Sequence, residues 1–277
     1  MRKLKSTVVT ALISGAVIAG CGESQKSQQA EQSSAAPAVK QTVITVFAAA
    51  SLTESLSEIG SAYEKKNPGV KVVFNFDSSG TLKRQIEEGA QSDIFISAAP
   101  KQMNELEKSG HIVNGSRFDF LENKVVLAVA SGNPYTFNTF AELGTKLQNC
   151  KIPFAIGNSD VPVGQYSLKI FESLGLKPEE LEKAGCLSYG SNVKEVTTQI
   201  SEGMVSAGIV YATDAVSAGL TAVDTATEKL CGKVVYPAAL TGGGSSSDSE
   251  ARKFLDYLGS TEARPVFEKI GFTVLKQ

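Results

Sequence analysis

The sequence predicts an α/β fold of mainly parallel sheets flanked by helices. From Thr42 onward, strand-like apolar runs alternate with segments of helical period, the pattern of sheets covered by helices. With 277 residues there is enough chain for two lobes, each with its own core. Composition agrees: 42% apolar and 20% charged residues, with 25 Gly and 9 Pro, exclude a disordered, collagen-like or coiled-coil chain.

TVITVFAA (42–49) reads as the first strand, and LTESLSEIGSAYEKK as a helix with Leu52, Leu56, Ile59 and Tyr63 on one face. VKVVFNF is the second strand, TLKRQIEEG a short helix and DIFISA the third strand. Pro100 opens a helix running to Gly110, because a proline in the first turn gives up a donor that has no partner there. NKVVLAVAS (123–131) starts a second alternating series: PFAIG, a helix near 164–174, LSYGS, a helix near 193–202, and AGIVYA. After VVYPAAL (234–240) come a mobile Gly/Ser loop (242–247), two closing helices, SEARKFLDYLG and TEARPVFEKIG, and a final FTVL.

The N-terminus departs from this body. Residues 1–20 carry Arg2, Lys3 and Lys5 with no acid, and the uncharged stretch 6–20 is too short to span a bilayer but suits a signal-peptide core. It ends in Ile18-Ala19-Gly20-Cys21, which resembles the lipobox of bacterial lipoproteins; that resemblance implies lipidation of Cys21 as the mature N-terminus. Gly22 rather than Asp follows, so the inner-membrane retention signal of Gram-negative lipoproteins is absent. Residues 21–42, rich in Gln, Ser and Ala, read as a flexible tether with a reach of roughly 25 Å. The body is therefore expected to work outside the cytoplasm, close to a membrane.

Charge and side-chain inventory narrow the chemistry. With 27 basic and 29 acidic residues, and three of the basic ones in the signal, the body is mildly acidic, which argues against a nucleic-acid partner. The single histidine, His111, excludes His-rich zinc or copper centres; it reads as a solvated residue beyond a helix end. Cys150, Cys186 and Cys231 allow at most one internal disulfide. Cys150 and Cys186 each precede a predicted strand, with one helix expected between them, which leaves a bridge between adjacent strand starts open.

Four junctions could carry function. Ser51 follows the first strand, with Glu54 three residues on, a capping-box spacing. Ser78-Ser79-Gly80, Val161-Pro162-Val163-Gly164 and Ser191-Asn192-Val193 likewise lie at the carboxyl ends of predicted strands and before helices. In open α/β sheets ligands gather at that edge, and unpaired amides at helix starts favour an anion. None of the four motifs holds Lys or Arg, so such a site neutralises its anion with neutral donors. Asp77 and Asp160 stand close by. Both are expected to point outward, because a carboxylate facing the cleft would favour hydrogen phosphate and repel a fully deprotonated dianion.

FAAASL (47–52), DSSGTLKRQI (77–86), DIFISA (93–98), VPVGQY (161–166), SNVKEV (191–196) and GIVYATDAV (208–216) together resemble the motifs of molybdate-binding proteins of ABC importers, and GFTVL fits as well. The resemblance implies a two-lobed type II periplasmic-binding-protein fold with the cleft between lobes. Lobe I would hold 43–125 and 237–277, and lobe II 126–236. It also implies an oxyanion shell of Ser51 and Ser79 through hydroxyl and amide, Val163 and Val193 through backbone amides, and Tyr211 through its phenol. The ligand would be molybdate or tungstate, with no cofactor, no catalytic residue and no metal held directly by side chains. The partners would be a molybdate permease and its ATPase, with the receptor a monomer held to the membrane by its lipid. Two alternatives stand beside this: a sulfate or phosphate receptor on the same fold, and an exported hydrolase using Ser51 or Ser79, for which the chain offers no G-x-S-x-G elbow and no evident base.

Overall fold

The computed structural model describes residues 41–132, 138–242 and 248–275. The export signal, Cys21, almost all of the tether and the Gly/Ser loop after Gly242 lie outside the described residues.

β1 (Thr42–Ala49) ends in a single 3-10 turn, Ala50–Leu52, and leads into α1 (Thr53–Lys66). β2 (Val70–Asp77), α2 (Ser79–Glu87), β3 (Ile94–Ile96) and α3 (Pro100–Lys108) follow. Then come β4 (Phe118–Asn123), β5 (Val125–Val129), α4 (Phe140–Gln148), β6 (Phe154–Gly157), α5 (Pro162–Ser173), α6 (Pro178–Lys183) and β7 (Leu187–Gly190). The chain continues through α7 (Val193–Ser201), β8 (Ala207–Tyr211), α8 (Ala212–Ser217), β9 (Thr221–Thr225) and α9 (Glu228–Cys231). It closes with β10 (Val234–Leu240), α10 (Asp248–Leu258), α11 (Arg264–Ile270) and β11 (Thr273–Val274).

These elements form two sheets, ordered β11-β4-β10-β3-β1-β2 and β7-β6-β8-β5-β9. Each has the expected parallel strands, β2-β1-β3 in the first and β7-β6-β8 in the second. Antiparallel strands complete each sheet: β10 lies antiparallel to β3 and β4, and β5 antiparallel to β8 and β9. The run read as one strand over 123–131 is divided at Lys124, where the chain leaves the first sheet and enters the second; it returns at β10. One contiguous core includes Ile44, Val46 and Phe120 beside the first sheet and Leu127, Phe154 and Ile209 beside the second.

α1 buries Leu56, Ile59 and Tyr63, the face its spacing predicts. Gly60 belongs to that face because a Cβ there would stand 2.6 Å from the Phe74 ring. α3 starts at Pro100 as expected. The capping box expected at Ser51 does not form: the 3-10 turn intervenes, Leu52 precedes α1, and no side chain caps it. Cys150 and Cys186 are joined, with Cα atoms 5.5 Å apart, before the adjacent parallel strands β6 and β7. Two helices, α5 and α6, rather than one separate those strands. Cys231 is buried and unpaired.

Candidate functional site

The carboxyl ends of β1, β2, β3, β6, β7 and β8 surround one small cavity, about 10 Å³ as the space open to the centre of a water-sized sphere. Ala49, Ala50, Ser51, Asp77, Ser78, Ser79, Ala98, Val161, Pro162, Val163, Val193 and Tyr211 line it. The structure thus brings all five residues of the expected shell onto one wall. So small a space excludes a sugar or peptide and leaves room for no more than a small inorganic ion.

Ser51 sits on the 3-10 turn, 3% exposed, and its hydroxyl lies 3.0 Å from the Tyr236 hydroxyl. Ser79 opens α2 and is fully buried. Its neighbour Ser78 does the capping, accepting from Thr81 N–H at 3.1 Å, which spares Ser79; the Ser79 oxygen instead accepts from Ala98 N–H at 2.9 Å. Val163 is the second residue of α5, whose start has no side-chain cap, so its first-turn amides keep their hydrogen-bonding capacity. Gly164 lets that turn lie against the end of β6, since a Cβ there would come within 2.1 Å of Asn158 O. Val193 opens α7, where Asn192 caps by accepting from Glu195 N–H at 3.1 Å and the Glu195 carboxylate accepts from Ser191 N–H at 2.7 Å. The reciprocal capping expected at Ser51 is found in this form at α7.

Tyr211 ends β8 at 1% exposure, packed edge to face on Tyr166 and Tyr236. Its buried hydroxyl makes no well-formed hydrogen bond within the protein. Burial, with the nearby Tyr236, raises its pKa well above the ordinary phenol value, so the group remains a donor. An orphaned donor at 1% exposure on a cavity wall fits an acceptor supplied by a ligand.

No Lys, Arg or His lines the cavity. Asp160 turns away to the Arg84 guanidinium, as expected for an outward acid. Asp77 does not: it lines the wall, its Oδ1 held by Ser78 N–H at 2.6 Å and by Asn192 Nδ2 at 3.3 Å. Those two donors fix the carboxylate where solvation alone would have drawn it outward. His111 lies past the end of α3, its Nδ1 2.9 Å from Ser109 Oγ, away from this wall. Neither Ser51 nor Ser79 has a basic side chain as hydrogen-bond partner.

Contacts between first-sheet and second-sheet elements ring the cavity. Gly80, on α2, lies so close to the Asp160 carbonyl that a Cβ would stand 2.3 Å from it. Gln102 Nε2 donates to the same carbonyl at 3.4 Å. On another side Lys194, next to Val193, donates to both Glu54 oxygens at 2.8 and 2.9 Å and stands 3.1 Å from Asp214 Oδ1. Desolvation pushes the buried Asp214 carboxyl up to about 6, with the Lys194 charge pulling the other way. Desolvation works against the Lys194 ammonium, and the Asp214 and Glu54 charges more than offset it, so its pKa is raised.

Two residues of this region were not legible as site residues. Tyr236 lies inside VVYPAAL, which has the pattern of any buried strand, and its contact with Ser51 spans 185 positions. Asn123 ends β4 and donates to Tyr236 at 3.2 Å. No local sequence signal marks either.

Comparison with known proteins places the fold and site in context. The family described as bacterial extracellular solute-binding protein matches residues 44–273. YvgL of Bacillus subtilis (strain 168), by name an ABC transporter substrate-binding lipoprotein, is 34% identical over 274 residues, 99% of each chain. The molybdate-binding protein ModA of Escherichia coli (strain K12) is 34% identical over 236 residues, 83% of this chain and 89% of that one. Among solved structures, the periplasmic molybdate-binding protein of Azotobacter vinelandii superposes with a TM-score of 0.72, covering 84% of this chain and all of that one; at 22% identity this likeness is one of fold. Both sequence relatives are named for binding, one a transporter substrate and the other molybdate. The chain belongs to the bacterial extracellular solute-binding protein family.

Proposed function

We propose that this receptor binds a single proton-free tetrahedral oxyanion, molybdate and also tungstate, and delivers it to the permease of an ABC transporter driven by a cytoplasmic ATPase. The observation that carries the reading is the wall of the cavity: neutral donors from both sheets, and no cationic side chain, around one small space. Ser51, Ser79 and Tyr211 would donate hydroxyls, and Val163 and Val193 backbone amides. Each hydrogen bond to a charged oxygen is worth about 1.5–3 kcal/mol. Helix starts at α2, α5 and α7 add about 0.3–1 kcal/mol each through their dipoles, more where the geometry is buried. Molybdate-binding relatives at 34% identity support the choice of ion. In this reading the two sheets act as two lobes, with the crossings at Lys124 and just before Val234 rather than at the expected 125 and 237, closing as a hinge on the anion. A monomer tethered through lipidated Cys21 fits both the Ile18–Cys21 motif and the lipoprotein name of a relative matched over 99% of its length.

One observation favours a second reading. The Asp77 carboxylate on the wall is the kind of acceptor that a hydrogen phosphate requires. Calorimetric titration and thermal unfolding of the purified protein with molybdate, tungstate, sulfate and phosphate separate the two. Molybdate and tungstate should bind tightly and raise the unfolding temperature, about 2.7 kcal/mol of stabilisation at a hundredfold excess over Kd, with sulfate and phosphate far weaker. Phosphate binding as tightly as molybdate would refute the proposal in favour of the second reading.

A further inference from the structure

Tyr236 and Asn123 lie outside the four junctions and the motifs of the family resemblance, yet they join the Ser51 hydroxyl in one buried line of hydrogen bonds, and that line has a direction. Lys124 N–H donates to Asn123 Oδ1 at 2.8 Å. A backbone N–H can only donate, so this bond sets which way the Asn123 amide faces. Its Nδ2 therefore donates, to Thr213 Oγ1 at 2.9 Å and to the Tyr236 hydroxyl at 3.2 Å. Either oxygen of the Tyr236–Ser51 pair, 3.0 Å apart, could donate; Tyr236 has its own buried proton to place, and donation to the Ser51 oxygen is the arrangement that satisfies it. Burial raises the Tyr236 phenol well above its ordinary pKa, so that proton stays in place. Ser51 then receives a proton from Tyr236 and must point its own elsewhere, and it lines the cavity. Ser79 accepts in the same sense, from Ala98 N–H, and has its own proton to place.

We infer that Tyr236 and Asn123 are positioning residues that lock Ser51 as a donor to the bound oxyanion and so bias the cavity toward anions that carry no proton. The inference rests on the oxyanion reading above. An anion that keeps a proton needs an acceptor, and each serine oxygen already accepts one bond and gives its own proton to the cavity, which leaves only a second lone pair for the anion's proton. Asp77 is the acceptor that remains on the wall. The role of Tyr236 is therefore judged by its coupling to Ser51 as well as by selectivity.

Wild type, Tyr236→Phe, Ser51→Ala and the double variant are titrated calorimetrically with molybdate, tungstate, sulfate and phosphate. Phenylalanine keeps the ring that packs edge to face on Tyr211 and Phe272 at 5.7 and 5.4 Å. Tyr236→Phe should weaken binding of the tightest anion roughly tenfold alone and far less in the Ser51→Ala background, and should erode the preference over phosphate by a similar factor. Equal losses in both backgrounds, no loss in either, or an unchanged preference would overturn the inference. Asn123→Leu, which removes the donor to Tyr236, runs the same cycle if Tyr236→Phe does not fold, with the same expected coupling. A wild type that prefers sulfate or phosphate refutes the molybdate reading alone, and the cycle is then run with that anion. A wild type that binds none of the four overturns both.

Discussion

Ser79 shows how the chain spends its hydroxyls at the site. Ser78 takes the capping duty at α2, Ala98 N–H occupies the Ser79 oxygen, and the Ser79 proton is left for the cavity. Replacing Ser79 by Ala should therefore weaken anion binding by about 1.5–3 kcal/mol, measured by calorimetry. Ser78→Ala should instead cost about 1 kcal/mol of folding stability through the lost cap. Exchange of those two outcomes would assign the roles the other way round. From sequence the two adjacent serines are chemically alike. Their difference arises because Ala98, 19 positions away, stands beside one of them and not the other. The same holds at Ser51, where the local spacing with Glu54 suggests a cap and the long-range contact with Tyr236 decides otherwise.

Among the elements, those with strong periodicity were readable: β1, β2, β10, α1, α3 and α7 lie close to where the apolar pattern puts them. β4 was not, because FDFLEN mixes acids with aromatics, and β9, TAVDT, has little apolar character and no fully buried residue. The four helix-start junctions were legible because glycine, proline and capping residues mark them locally. The pairing of β10 with β3 and β4 was not, since it depends on how the chain returns from the second sheet. The Cys150–Cys186 bridge ties the end of α4 to the start of β7 across 36 positions. On the chain-entropy estimate a loop of that length contributes about 4 kcal/mol. The Cys150→Ser, Cys186→Ser double variant should lose stability on that scale in denaturant titration while keeping its affinity for the anion, because neither cysteine touches the cavity.

For the whole molecule, the contacts across the cavity set what the proposed closure requires. Exposed ion pairs such as Arg84–Asp160 contribute little on their own, about 0–1 kcal/mol. Steric fit is more demanding: α2 comes up against the Asp160 carbonyl only because residue 80 lacks a Cβ. Gly80→Ala should leave the unliganded fold intact and weaken anion binding by about 1–3 kcal/mol, and small-angle scattering should show a larger radius of gyration for the anion-saturated variant than for wild type. Unaltered affinity would mean that binding does not depend on this approach. The burial of Cys231 has a separate consequence for the exported receptor proposed above. Three thiols in the body permit three different first pairings, and a wrong one would strand the protein. Once α9 docks, Cys231 is 3% exposed, with its sulfur against the Thr227 and Gly232 carbonyls. Folding thus withdraws the surplus thiol from exchange chemistry and leaves the native pair without a rival among the described residues.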